Sequence, residues 1–178
     1  MKNLKTFETF TLGDLDEFQK SDLNDELSYI EDEYGLDEEF DDKKTLDIIK
    51  KTLEQFKEDI PFWNNIHIQF VKDLRDDTIG MYVHDSCLRT PIILLSKDAL
   101  ETMKNEEGDY EFGLKMTIIH ELGHAIVNID NEYEMIEDEN VLQFEDEEVY
   151  VEDFAFNYYM YGQIPDEIEE LLDKFKKL

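Results

Sequence analysis

Cations are what this chain has least of. Seventeen Lys and Arg stand against forty-seven Asp and Glu, a formal net charge of −30, and only Arg75 and Arg89 are arginines. Binding a nucleic-acid backbone requires basic groups that displace counterions, and no segment supplies them. An anionic membrane surface repels the chain for the same reason. One cysteine, Cys87, excludes an internal disulfide framework and fits a reducing compartment. No apolar run approaches the roughly eighteen residues of a membrane span, and the segment MKNLKTFETF lacks the apolar centre of a secretory signal. The expectation is a cytoplasmic protein, monomeric, with no direct nucleic-acid partner and no membrane partner.

What remains is enough for a core. With 178 residues, 41% apolar and 12% aromatic, the chain is far from a disordered composition. A chain of this length buries roughly 70% of its unfolded surface. There is no internal repeat and no Gly/Ser or Pro linker. Leu23, Leu27, Ile30 and Tyr34 recur at helical spacing, with Ser21 as N-cap and Gly35 as the stop. Leu46, Ile49, Leu53 and Phe56 mark a second helix ended by Pro61. Residues 66–71, 79–83 and 91–96 are β-branched and read as strands, with Pro91 at a strand start or edge. Residues 109–129 form a helix apolar almost all round, and two more helices follow near 147–161 and 165–177, the last with Pro165 at N1. The fold class expected is α+β, with a small mixed or antiparallel sheet of about three strands packed on the 109–129 helix. Residues 1–60 are an acidic helical region, part of the same domain or an appendage, and 61–178 form the main domain.

Inside that apolar helix stands His120-Glu121-Leu122-Gly123-His124. Positions i and i+4 share a helix face, so both imidazoles reach one ion, and Glu121 lies beside it to exchange a proton with water. Chance yields such a spacing about 0.01 times in a chain with four histidines, so it is treated as a motif.

On this motif, in its setting of strands and helices, residues 66–161 resemble the zincin metallopeptidases. The resemblance implies a zincin-like fold, one Zn2+ per chain held by His120 and His124, and Glu121 as general base. The segment Val151-Glu152-Asp153-Phe154-Ala155-Phe156-Asn157-Tyr158 resembles the E-x-F-A-x-x-[FY] segment of gluzincins of the lethal-factor-like kind, which implies Glu152 as third metal ligand. Glu148, one turn earlier, is an alternative ligand or an acceptor for a histidine N–H. Asp130 is another: it falls where metzincins carry their third ligand, although Val127 replaces the glycine of that pattern. In lethal-factor-like enzymes a Tyr seven residues before the ligand Glu stabilises the oxyanion. Glu145 stands there in this chain, and Tyr133 and Tyr150 are the candidates for that role or for substrate contact. The chain is also similar in style to uncharacterised small phage and bacterial peptidases, which would place it in a host cytoplasm if phage-encoded.

The function expected is zinc-dependent hydrolysis of a peptide or protein substrate, basic if the net charge guides it. Residues 81–83 and 92–96 are candidate strands for pairing with that peptide. His67 is expected as a half-buried structural residue. His84-Asp85, Cys87 as a zinc ligand, and calcium in the acidic run 130–139 are weaker candidates. The alternatives are an acidic DNA mimic, or another binding or inhibitor protein, and a zinc-bound zincin fold without proteolysis.

Overall fold

The computed structural model describes residues 9–12, 17–34, 40–63, 65–75, 78–83, 90–105, 108–128 and 147–175. In chain order the elements are β1 (Thr9–Leu12), α1 (Glu17–Tyr34), α2 (Lys43–Asp59), β2 (Ile66–Val71), β3 (Gly80–Val83), β4 (Ile92–Ser96), α3 (Lys97–Asn105), α4 (Tyr110–Val127), α5 (Glu147–Tyr161) and α6 (Asp166–Phe175). Asp42 caps α2 by accepting from the N–H groups of Lys44 and Thr45 at 2.9 and 3.1 Å. Asp109 caps α4 by accepting from Phe112 N–H at 3.2 Å. Ile60, immediately before Pro61, closes α2 as expected.

The fold is α+β around a mixed sheet of order β1-β2-β4-β3. The sheet has four strands among the described residues rather than about three, because β1 adds antiparallel to β2 with Phe10 opposite Ile68. β2 and β4 run parallel with Ile68 opposite Ile93, and β3 closes the edge antiparallel with Tyr82 opposite Ile93. Pro91 therefore precedes an interior strand and sits at its start, not at an edge.

Alternation along the strands sorts side chains to two faces. Ile66, Ile68, Phe70, Ile93 and Leu95 join the main core with Ile49, Leu53 and Phe56 of α2, Leu114, Ile118 and Leu122 of α4, and Phe154 of α5. Val71, Ile92 and Leu94 point the other way, under Leu23, Leu27 and Ile30 of α1. With helices on both faces, β2 and β4 are buried along their whole length. His67 is accordingly 1% exposed rather than half-buried.

Three further expectations change. α1 begins at Glu17, so Ser21 lies within the helix and does not cap it. α3 was not anticipated. α4 is buried or part-buried along its whole length apart from Glu111 and Phe112 in its first turn, as its apolar composition implies. Pro165 immediately precedes α6, accepting from the N–H groups of Ile168 and Glu169, so it occupies the capping position rather than N1. Gly35 lies outside the described residues.

Candidate metal centre

The motif residues share one face of α4 because they are four apart, and the face is aimed by what packs behind it. Leu114, Ile118 and Leu122 anchor α4 in the main core, leaving His120 and His124 part-buried on the opposite side. α5 crosses α4 closely at Gly123, where an added Cβ would stand 2.8 Å from Val151 Cγ1 and 3.1 Å from Phe154 Cδ1. That approach brings the first turn of α5 against the two imidazoles.

Three groups converge there. His120 Nε2 and His124 Nε2 are 3.1 Å apart. One carboxylate oxygen of Glu148 lies 3.4 Å from His120 Nε2, and the other 3.4 Å from His124 Nε2. Ligand atoms about 2.0–2.1 Å from a tetrahedral zinc are separated from one another by about 3.3–3.4 Å, so each of these pairwise spacings is that of neighbouring zinc ligands, with a different Glu148 oxygen facing each imidazole. Two imidazole nitrogens and a carboxylate oxygen are also a zinc donor set.

Hydrogen bonds around the cluster orient its rings. His124 Nδ1 lies 2.7 Å from Glu147 Oε1, and a carboxylate only accepts, so Nδ1 donates there and Nε2 is the nitrogen turned toward His120 and Glu148. Asn128 Nδ2 donates to the same Glu147 oxygen at 3.4 Å. Burial holds His120 below the usual imidazole range and the neighbouring His124 pushes the same way, against the pull of Glu148 and Glu152.

Glu121 points from α4 toward β3. It is 8% exposed, and its Oε2 accepts the backbone N–H of Tyr82 at 2.7 Å. Burial raises its carboxyl above the ordinary range, with the Tyr82 N–H opposing. Gly80 makes this approach feasible: a Cβ there would meet Thr117 Cγ2 at 2.5 Å and Glu121 Cγ at 3.2 Å. A cleft follows the β3 edge past these residues in two lobes. One, of about 890 Å³, is lined by Glu121, His120, His124, Glu147 and Glu148. The other, of about 570 Å³, lies beside His120, Glu121 and Glu152.

The structure thus gathers His120, Glu121, His124 and Glu148. It leaves Glu152 one turn further along α5, lining the second lobe beside His120 but outside the group within metal-ligand reach. Tyr150 packs against the main core near Glu167 and does not line either lobe; burial first, and Glu167 second, push its phenol up to about 12. Of the two strands offered for peptide pairing, β3 forms the sheet edge beside the cleft, and β4 is interior. Asp130, Tyr133, Met135, Glu145, His84, Asp85 and Cys87 lie outside the described residues. Sequence reasoning missed Glu147 and Gly80. A glycine inside a strand signals close backbone approach, and that signal was present at Gly80.

Compared with models of known protein families, with curated proteins and with solved structures, the chain gave no match. The site therefore stands on its own geometry.

Proposed function

We propose that this chain is a metal-dependent peptidase in which His120, His124 and Glu148 hold a zinc ion and Glu121 handles the proton. The observation that carries the reading is the convergence of His120 Nε2, His124 Nε2 and the Glu148 carboxylate, the two nitrogens 3.1 Å apart and each 3.4 Å from a different Glu148 oxygen. Zinc bound there supplies a Lewis acid and a water of lowered pKa. Glu147 fixes the His124 tautomer and ring plane. The Tyr82 N–H anchors Glu121 Oε2 and leaves Oε1 to accept a proton from the attacking water and return it to the departing nitrogen. The buried setting of Glu121 makes it a stronger base than an exposed carboxylate, as that exchange requires.

The test is metal content together with hydrolysis of a quenched-fluorescence peptide library. The wild type is expected to hold about one zinc per chain and to cleave. Glu121→Gln, which keeps the shape and the Tyr82 hydrogen bond, is expected to retain zinc and lose at least about a hundredfold in rate. A wild-type chain that takes up no divalent metal ends this reading, and so does undiminished cleavage by the variant.

A further inference from the structure

With Glu148 placed against the imidazoles, Glu152 is left facing a cavity. That cavity, of about 570 Å³, is an open depression beside His120 and Glu121, bordered by α4, α5 and residues 78–80 at the start of β3. Met116 and Phe156 give it apolar walls, and Glu152 and Asp153 give it an acidic rim. Among the described residues no Lys or Arg lines it. Phe156 is 45% exposed although large and apolar, so its ring gains by being covered.

The contents that suit this space follow from its walls. An acidic side chain would meet Glu121, Glu152 and Asp153, all of like charge. An apolar side chain would cover Met116 and Phe156 but leave the rim unmatched. A lysine or arginine satisfies both, laying its methylene stem on the apolar walls and its charged head at the carboxylates.

Resting on the peptidase reading, we propose that this cavity receives a lysine or arginine side chain adjacent to the scissile bond, with Glu152 and Asp153 as the specificity-determining residues. Glu152 is then a substrate contact and not a metal ligand.

The experiment uses the full chain and alanine-rich peptides in which a single lysine, norleucine or glutamate is walked along the sequence. Cleavage by the wild type is expected at a fixed position relative to lysine, favouring lysine over norleucine about tenfold and over glutamate by more. Binding to the zinc-loaded Glu121→Gln chain, read by fluorescence anisotropy, is expected to rank the peptides in the same order without any turnover. In the double variant Glu152→Gln, Asp153→Asn the lysine preference is expected to vanish while zinc stays near one per chain. Both positions are exposed and the replacements isosteric, so circular dichroism should be unchanged. Loss of zinc from that variant overturns the proposal, since Glu152 would then be a ligand. Equal binding of lysine and norleucine peptides by the Glu121→Gln chain overturns the cavity's role alone. If none of the peptides binds or is cleaved, the peptidase reading falls and the cavity's role with it.

Discussion

His67 lies on the face of β2 that α1 covers, with the Gln69 side chain as a hydrogen-bonding neighbour. Burial, opposed by that bond, holds its imidazole down at about 4. In the unfolded chain it titrates near its ordinary 6.5. Between those values the unfolded state binds a proton that the folded state refuses. The associated stability is therefore fully present above about pH 6.5 and is lost as pH falls toward 4, by about 3 kcal/mol in all. Urea denaturation of the wild type and of His67→Gln across this range should show the wild type losing about 3 kcal/mol more than the variant as pH falls from 6.5 toward 4; parallel curves would refute the assignment. The burial of His67 was not legible locally, because its cause is a helix more than thirty residues earlier. The metal centre was partly legible in the same sense. Spacing alone identifies His120, Glu121 and His124, but Glu148 and Glu152 are four apart on one helix face, and spacing cannot choose between them.

What chooses is where α5 crosses α4. Gly123 permits the crossing, with Val151 and Phe154 packed where its side chain would be, and Glu147 and Glu148 ride one turn before Val151. Gly123→Val would recover a few tenths of a kcal/mol of helix propensity. It would also force a branched side chain into buried, stiff neighbours, an overpacking cost of about 1–3 kcal/mol or more, which wins. The expected outcome is a net loss of about 2 kcal/mol in urea denaturation, with weakened zinc retention against a chelator because Glu147 and Glu148 move off the imidazoles. Unaltered stability and zinc affinity would mean that the crossing does not position the site. Elements with a long apolar period, α2, α4 and α5, could be placed from sequence, as could the β-branched runs β2 and β4. β1 could not: Thr-Phe-Thr-Leu is too short to show a period and is defined by its pairing with β2. α3 is nine residues long, and its apolar stripe is only Leu100 with the part-buried Met103, too short a repeat to read as a period.

At the scale of the whole molecule the dominant quantity is the charge of −30. Like charges this numerous repel in the folded state more than in the expanded one, which costs stability at low ionic strength. Native ion pairs work the other way, but several of those among the described residues, such as Lys51–Asp47 and Lys115–Glu111, are i,i+4 pairs at the surface, of the kind that contribute little. The Lys104–Asp42 pair, at the cap of α2, is better shielded: burial alone would raise the Asp42 carboxyl, yet the Lys104 ammonium and the Thr45 N–H outweigh it and bring it to about 2. Repulsion therefore sets the sign. Salt shrinks the screening length from about 30 Å at 0.01 M to about 10 Å at 0.1 M, so melting temperature is expected to rise by several degrees over that interval. Substrate recognition should respond oppositely. If a cationic side chain is drawn to Glu152 and Asp153, screening lowers kcat/KM for a lysine peptide by several-fold over the same interval and leaves the norleucine peptide nearly unchanged. Calorimetry and peptide kinetics on one salt series would separate the two effects. A lysine peptide insensitive to salt would mean that the acidic surface acts on the fold and not on the substrate.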